Sequence, residues 1–368
     1  MIKSIMRYKI ICLLLLLLQT NLIGQTFEKS RSISKSFYAG KDTELQVSNK
    51  YGNIQLETWE KDSVKVDISL KVISSKESKL NMTIDYIDFQ FNATKHYIIA
   101  QTAFEGQGTF WSDVKDLAGT VFNSNTKTQI DYKIYLPASL KISIENKYGN
   151  IYISDYAGEI NIKLSNGDLK AHQFTGQTTI AMSFANADID ELSKGKFDIS
   201  YFSELHIDKC DSIRLDSKSS KIYIKDFNAL DINSNRDRLS LGEGNSISGK
   251  LMFSHTEIEK LNSSLKTDTH YGDFEINSLG GMIKGIDISA ASTDFVINKL
   301  SSQAISVDIT YNENAGLYYQ DELSRKRTSK IETDKKLVNT TGLLGTDSAS
   351  TINLRAKVLS GSLTINNK

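Results

Sequence analysis

The chain has 368 residues, of which 39% are hydrophobic and 24% charged, and its 44 Lys and Arg are balanced by 44 Asp and Glu. A formal net charge of zero removes the electrostatic case for a nucleic-acid partner, which needs a basic footprint. The length exceeds that of one ordinary globular core and points to two domains or to a repeat array growing along one axis.

Lys3, Arg7 and Lys9 precede the apolar run Ile10 to Leu18, and the chain turns polar at Gln19-Thr20-Asn21. This is the order of a secretory leader: basic start, short apolar core, polar exit. Gly24 offers a small residue for cleavage, so residues 1–24 read as a signal peptide and the mature chain starts at Gln25. The alternative, a retained anchor, needs roughly 18 to 20 apolar residues, more than this run supplies. No later stretch is apolar enough to span, so no transmembrane segment is expected after cleavage. Cleavage also removes Cys12 and leaves Cys210 alone, which forbids an intrachain disulfide despite export and reads as a small core residue.

Residues 25–140 read as an N-terminal β region and cap. Leu80 to Phe91, Tyr97 to Phe104 and Gln129 to Leu136, just before the only proline, Pro137, are the longer candidate strands of a hairpin cap. Glu105 to Thr128 breaks the rhythm as a long loop carrying Phe110 and Trp111.

From 141 to 310 a degenerate repeat takes over. A small or polar residue and one polar position precede an apolar-polar-apolar triplet, as in Gly149-Asn150-Ile151-Tyr152-Ile153, Gly167-Asp168-Leu169-Lys170-Ala171 and Ser220-Lys221-Ile222-Tyr223-Ile224. With weaker copies at Ile189, Leu239 and Ile258, the first apolar positions fall at 151, 169, 189, 205, 222, 239, 258, 274 and 295, a mean spacing of 18. A second alternating strand follows in most units, such as Phe197-Asp198-Ile199 and Ile213-Arg214-Leu215. Tyr156, Phe174, Cys210, Phe227, Leu279 and Leu300 can fill the corner between the two strands. Two short strands of period two per unit give two faces, each with one buried side. One unit cannot bury its apolar face alone, whereas stacked units share a continuous core. The predicted fold is therefore all-β: a single-domain β-solenoid, or β-helix, of about 18-residue coils. An antiparallel β-sandwich is the alternative, since short alternating strands fit it too, but a sandwich has no need of similar successive units. Residues 311–350, with Arg325-Lys326-Arg327 and Lys335-Lys336, read as an inserted hairpin or loop. Residues 351–368 read as a final solenoid turn through Gly361-Ser362-Leu363-Thr364-Ile365.

Asn49-Lys50-Tyr51-Gly52-Asn53-Ile54, then Trp59, Tyr135-Leu136-Pro137, and Asn146-Lys147-Tyr148-Gly149-Asn150-Ile151 leading into short Gly-x-Ile-x-Ile units together resemble the putative adhesin family of bacterial envelope proteins, over roughly residues 30 to 310 and the last turn. The resemblance implies a β-solenoid of unassigned activity on an exported surface or periplasmic protein. Adhesion is the suggested role, and some relatives are linked to envelope-stress signalling. It brings no catalytic residues.

The polar position before each first strand reads Asn150, Asp168, Asp188, Glu204, Lys221, Arg238, Glu257, Asp273, Asp294. Stacked acids can attract calcium, but the calcium-binding nonapeptide signature is missing, and a solvated column is the simpler expectation. Polysaccharide-active enzymes also use β-helices and paired carboxylates. Asp188 with Asp190, or His206 with Asp208, share a strand face, yet nothing marks one pair as special. His96, His172, His206, His255 and His270 lack metal-ligand spacing, so no cofactor, metal or catalytic residue is assigned. In the recurring Tyr51-Gly52, Tyr148-Gly149 and Tyr271-Gly272 pairs, the glycine is expected to permit the bend and the tyrosine to pack at the corner. Phe110 and Trp111 are the candidate partner contacts, because aromatic residues on loops anchor interfaces; packing of Trp111 over the solenoid end is the alternative and the simpler expectation. The basic run 325–327 reads as a solvated hairpin tip or a contact for anionic glycans or lipid headgroups. The expectation is a non-enzymatic envelope protein binding a glycan or an envelope protein. A polysaccharide-active enzyme and a periplasmic accessory of stress signalling are the alternatives.

Overall fold

The computed structural model describes residues 26–104, 126–331, 334–346 and 351–368. The leader 1–24 and the pair Phe110 and Trp111 lie outside the described residues. The chain is almost entirely β, and it divides into two compact units.

The larger unit, 33–68, 89–102 and 130–368, is the solenoid. Each coil contributes a strand to two parallel ladders. In one, Ile151–Tyr156 is followed by 168–174, 186–192, 204–210, 221–227 and 238–244. In the other, Lys141–Lys147 is followed by Ile160–Ser165, 178–183, 195–200, 213–218, 230–235 and 247–252. Pairing is parallel throughout this stretch, so the antiparallel sandwich is set aside. Alternation writes the faces: in Glu204–Lys218, Leu205, Ile207, Cys210, Ile213 and Leu215 are buried. The alternation slips at Asp208-Lys209, where two successive side chains face solvent and the strand passes from one ladder to the other.

The register corrects two of the repeat marks. Leu169 is paired with Ala187, not Ile189, and Leu239 with Thr256, not Ile258. The first apolar positions become 151, 169, 187, 205, 222, 239 and 256, spaced by 17 or 18 residues. Ala187 and Thr256 are small, and the next, bulkier Ile in each strand imitates the mark. The corner column also holds, with Tyr156, Phe174, Leu192, Cys210, Phe227, Gly244, Leu261 and Leu279 stacked coil on coil. The Phe227 ring occupies the space a Cβ at Gly244 would need, coming within 1.9 Å of it. Burial, and secondarily the charge of Asp211, push the Cys210 thiol up to about 12, which keeps it protonated and inert. Leu300 breaks the pattern: it is 43% exposed, while neighbouring Lys299 is 1% exposed and paired with Asp321 at 2.9 Å.

Both ends depart from chain order. Glu44–Lys50 lies between 97–101 and Lys141–Lys147, and Ile54–Trp59 lies between 132–137 and Ile151–Tyr156. The first coil in sequence is thus not the outermost in space. At the other end Thr351–Val358 lies between 285–290 and 304–311, and Gly361–Asn367 between 293–299 and Gly316–Tyr319. The final turn is inserted rather than appended. Beyond 304–312 the ladder ends in antiparallel strands, Asp334–Leu344 and then Leu323–Ile331.

The smaller unit comprises 26–32, 69–88, 103–104 and 126–129 among the described residues. It corrects the expected strand Leu80 to Phe91: Glu77–Tyr86 is a helix, and the strand starts only at Ile87. Leu80, Thr83 and Ile84 form its buried stripe at helical spacing. Met82, which a strand would bury with Leu80 and Ile84, is 48% exposed. Arg31 donates to Ile87 O at 2.6 Å, and Lys71 pairs with Glu28 at 2.8 Å.

Candidate functional site

Where one coil ends and the next begins, the backbone turns through a residue in the left-handed region. Tyr51, Tyr148, Asn166, Phe184, Tyr201, Phe202, Ser219, Arg236, Phe253, Tyr271 and Ser292 have φ between 51° and 69°. Their N–H groups stack on the next coil: Tyr148 donates to Ser165 O at 3.0 Å, Phe184 to Tyr201 O at 3.0 Å, and Phe253 to His270 O at 2.8 Å. Asn tolerates this conformation and Gly adopts it freely. A bulky aromatic residue there is an outlier that costs on the order of 1 kcal/mol or more. The chain accepts that cost repeatedly.

This reverses the expected roles in the Tyr-Gly pairs. The tyrosine, not the glycine, makes the turn. The glycine is needed for close approach, since a Cβ at Gly52 would come within 2.0 Å of Ile130 O, and one at Gly149 within 1.9 Å of Gly52 O. The tyrosines do not pack inward either: Tyr148 and Tyr271 are 52% and 53% exposed.

The rings, exposed except for the half-buried Tyr51, instead stack on one another along the corner. Tyr51 lies on Tyr148 with centroids 5.5 Å apart, Phe184 on Tyr201 at 5.8 Å, and Phe253 on Tyr271 at 4.8 Å, all within 13° of parallel. The 201–203 corner holds one residue more than its neighbours, and the extra residue, Phe202, is 82% exposed beside Phe184. Lys50 stands over Tyr51 at 4.9 Å, and Arg236 over Phe253 at 5.3 Å.

Buried polar groups fix this edge from beneath. Asn49 donates to Gly52 O and Ile130 O, and Asn146 to Gly52 O, which explains why Asn-Lys-Tyr-Gly-Asn recurs in two coils that are neighbours in space. Under the central corners, the Asp237 carboxylate accepts from Ser217 and Ser234 hydroxyls and from the N–H groups of Ser220 and Asn235, at 2.6 to 3.0 Å. A carboxylate so fully satisfied can stay buried.

The polar column forms with two members changed. In register it reads Asp168, Asn186, Glu204, Lys221, Arg238, His255, and then the paired acids Asp273 and Asp294. Its members pair: Asn186 donates to Asp168 at 2.9 Å, Lys221 lies 3.6 Å from Glu204, and His255 contacts Asp273. The same two register slips had moved Asp188 and Glu257 into it. Among the described residues no cluster of three or more His, Cys, Asp or Glu side chains is placed to hold a metal.

Asp188 and Asp190 are exposed. His206 stacks on Tyr223 at 4.5 Å and bonds Glu204 at 2.8 Å, and with Asp208, Glu243, Glu257 and Glu259 it lines a groove of about 900 Å³. Beside and within it, His206 holds the Glu204 carboxyl below its ordinary value, and Lys260 does the same for Glu243. Groups held ionised accept hydrogen bonds and ion pairs; a glycosidic general acid needs the opposite shift. Arg325, Lys326 and Arg327 are exposed on Leu323–Ile331. The corner aromatics Phe184, Tyr201, Phe202 and Phe253 carry a signal that only the corrected register exposes: an aromatic residue, then one or two small or apolar residues, before the first strand of their coils.

No family model matches the chain, and no curated protein matches it. Among solved structures, a putative cell adhesion protein from Clostridium sporogenes is 9% identical, covering 92% of this chain and 100% of its own, with a TM-score of 0.18. A putative lipid binding protein from Parabacteroides distasonis is 13% identical, covering 74% of this chain and 96% of its own, with a TM-score of 0.36. A putative adhesin from Bacteroides fragilis is 12% identical, covering 73% of this chain and 97% of its own, with a TM-score of 0.32.

Proposed function

We propose that the protein is an exported, non-enzymatic binding solenoid of the cell envelope whose aromatic corner receives the ring faces of a glycan. The leader-like first 24 residues support export to the periplasm, the cell surface or beyond. The observation that carries the binding role is the column of exposed, mutually stacked rings held in a strained backbone conformation. Strain at bulky exposed side chains adds nothing to the core and points to use. Aromatic faces are electron-rich and attract the weakly positive C–H faces of sugar rings. Phe110 and Trp111 are a second proposed contact.

The test is a glycan panel probed with the full chain and with a Phe184→Asn/Phe253→Asn variant, alongside thermal unfolding. Asn suits the left-handed corner, so the variant is expected to fold with an unchanged or higher Tm and to lose about tenfold or more of its glycan affinity. Equal binding by both proteins would remove the corner from the reading. A wild-type chain that binds no glycan would direct the search to an envelope protein.

A further inference from the structure

The aromatic column is interrupted by Asn166 and, over two coils, at its centre. Between the rings of Phe184, Tyr201 and Phe202 on one side and those of Phe253 and Tyr271 on the other, the corner positions are Ser219 and Arg236. From the 201 corner to the 253 corner is three strand steps, about 14 Å. This gap is basic. Lys218 and Lys221 flank Ser219, while Arg238 lies two residues beyond Arg236, and all four charged side chains are exposed. Lys221 is matched by Glu204. Among the described residues Lys218 and Arg238 have no ion-pair partner, and Arg236 rests on the Phe253 ring. Beneath the gap, Asp237 is 5% exposed and turned into the Ser217, Ser234 and Ser220 network, while Asp216, two residues before Lys218 on the outward side of its strand, accepts from Asn233 at 3.0 Å. Asp237 moderates the local charge without reaching the surface.

We infer that this edge selects an acidic polysaccharide, with sugar faces stacked on the rings at either side of the gap and a carboxylate or sulfate held between Lys218, Arg236 and Arg238. The inference rests on the glycan reading above and names its substrate class. Two features favour a polymer over a small anion or a flat surface. The rings and charges follow one line, coil after coil, rather than a pocket. The guanidinium of Arg236 is preplaced on an aromatic face, where planar bidentate recognition of a carboxylate or sulfate is available. An uncharged polymer would leave the three positive charges of two adjacent coils as they are; an anionic one neutralises them.

The test compares retention of the full chain on polygalacturonate and on its methyl ester, the same backbone with its charge removed. It uses wild type, the charge variant Lys218→Gln/Arg236→Asn/Arg238→Gln and the ring variant Phe184→Asn/Phe253→Asn. Wild type is expected to bind the acid form about tenfold or more tightly than the ester, with affinity falling as salt rises. The charge variant should lose that preference while keeping residual affinity for the ester, and the ring variant should weaken on both polymers. Equal binding of wild type to acid and ester would overturn the inference and leave the glycan reading standing. Binding to neither polymer, with capture by vesicles rich in phosphatidylserine, would overturn both. Acid binding that survives in the ring variant would reduce the edge to a simple polyelectrolyte surface and also overturn the inference.

Discussion

Each coil turns twice, and aromatic residues stand at both turns with opposite fates. At the turn between the ladders, Tyr156, Phe174 and Phe227 are 2%, 0% and 5% exposed and continue the core. At the left-handed turn, Phe184, Tyr201 and Phe253 are 53%, 50% and 46% exposed and sit in a conformation that penalises a bulky side chain. Residue type and period are shared, so neither separates the two columns. What separates them is direction: one turn slips the alternation by a residue within extended backbone and sends its side chain inward, whereas the other reverses the backbone hand and turns its side chain out. The first column lowers the free energy of the fold by removing apolar area from water. The second raises it through strain and offers ring faces to a partner.

Substitution should divide the columns cleanly. The largest effect is expected at the inner turn: Phe174→Ala removes a fully buried ring between Tyr156 and Leu192 and should cost about 3–5 kcal/mol in denaturant unfolding, with glycan binding unchanged in the protein that remains folded. An intermediate effect belongs to the exception at that turn, where Lys299 is buried. Asp321→Ala leaves its ammonium without a carboxylate and should cost about 3 kcal/mol. Lys299, by its hydrogen bond, and then Asn367 hold the Asp321 carboxyl below its ordinary value. A carboxyl depressed in the folded state contributes stability above its unfolded value near pH 4, and the contribution fades as pH falls through the folded value. Wild type should therefore lose stability on acidification across that window by more than Asp321→Ala does; parallel pH profiles of Tm would contradict the pairing. The smallest effect is expected at the outer turn. Tyr271→Asn relieves strain at an exposed position and should leave stability unchanged or raise it by up to about 1 kcal/mol. A clear loss of stability there would mean that the outer rings support the fold after all.

The two ends of the solenoid show how far the repeat could be read. The spacing of 18 was legible because every middle coil buries apolar residues at the same places. The register within it was not legible where a coil carries Ala187 or Thr256 at the marked position, because a parallel ladder aligns backbone hydrogen bonds and tolerates a small side chain. Those two slips also put Asp188 and Glu257 into the polar column, where the register sets Asn186 and His255. The helix Glu77–Tyr86 is not legible in the sequence because Leu80, Met82 and Ile84 satisfy strand alternation as well as Leu80, Thr83 and Ile84 satisfy a helical stripe, and five residues do not separate the periods. At the candidate site, Tyr51, Tyr148 and Tyr271 stood out through their glycines, but Phe184, Tyr201, Phe202 and Phe253 did not, because an aromatic residue in an alternating sequence looks like core until the sign of φ is known.

By itself, then, the sequence determined the all-β class, the coil length and the inner faces, since local alternation repeated every 18 residues leaves few other ways to bury the apolar side chains. Tertiary structure alone decided which coils are neighbours and which aromatics face outward. The coil Glu44–Trp59 is inserted beside Lys141–Tyr156, and the last coil beside 285–299. Such pairings are chosen by ladder hydrogen bonds between segments distant in sequence, and they leave no local trace beyond the twice-used Asn-Lys-Tyr-Gly-Asn.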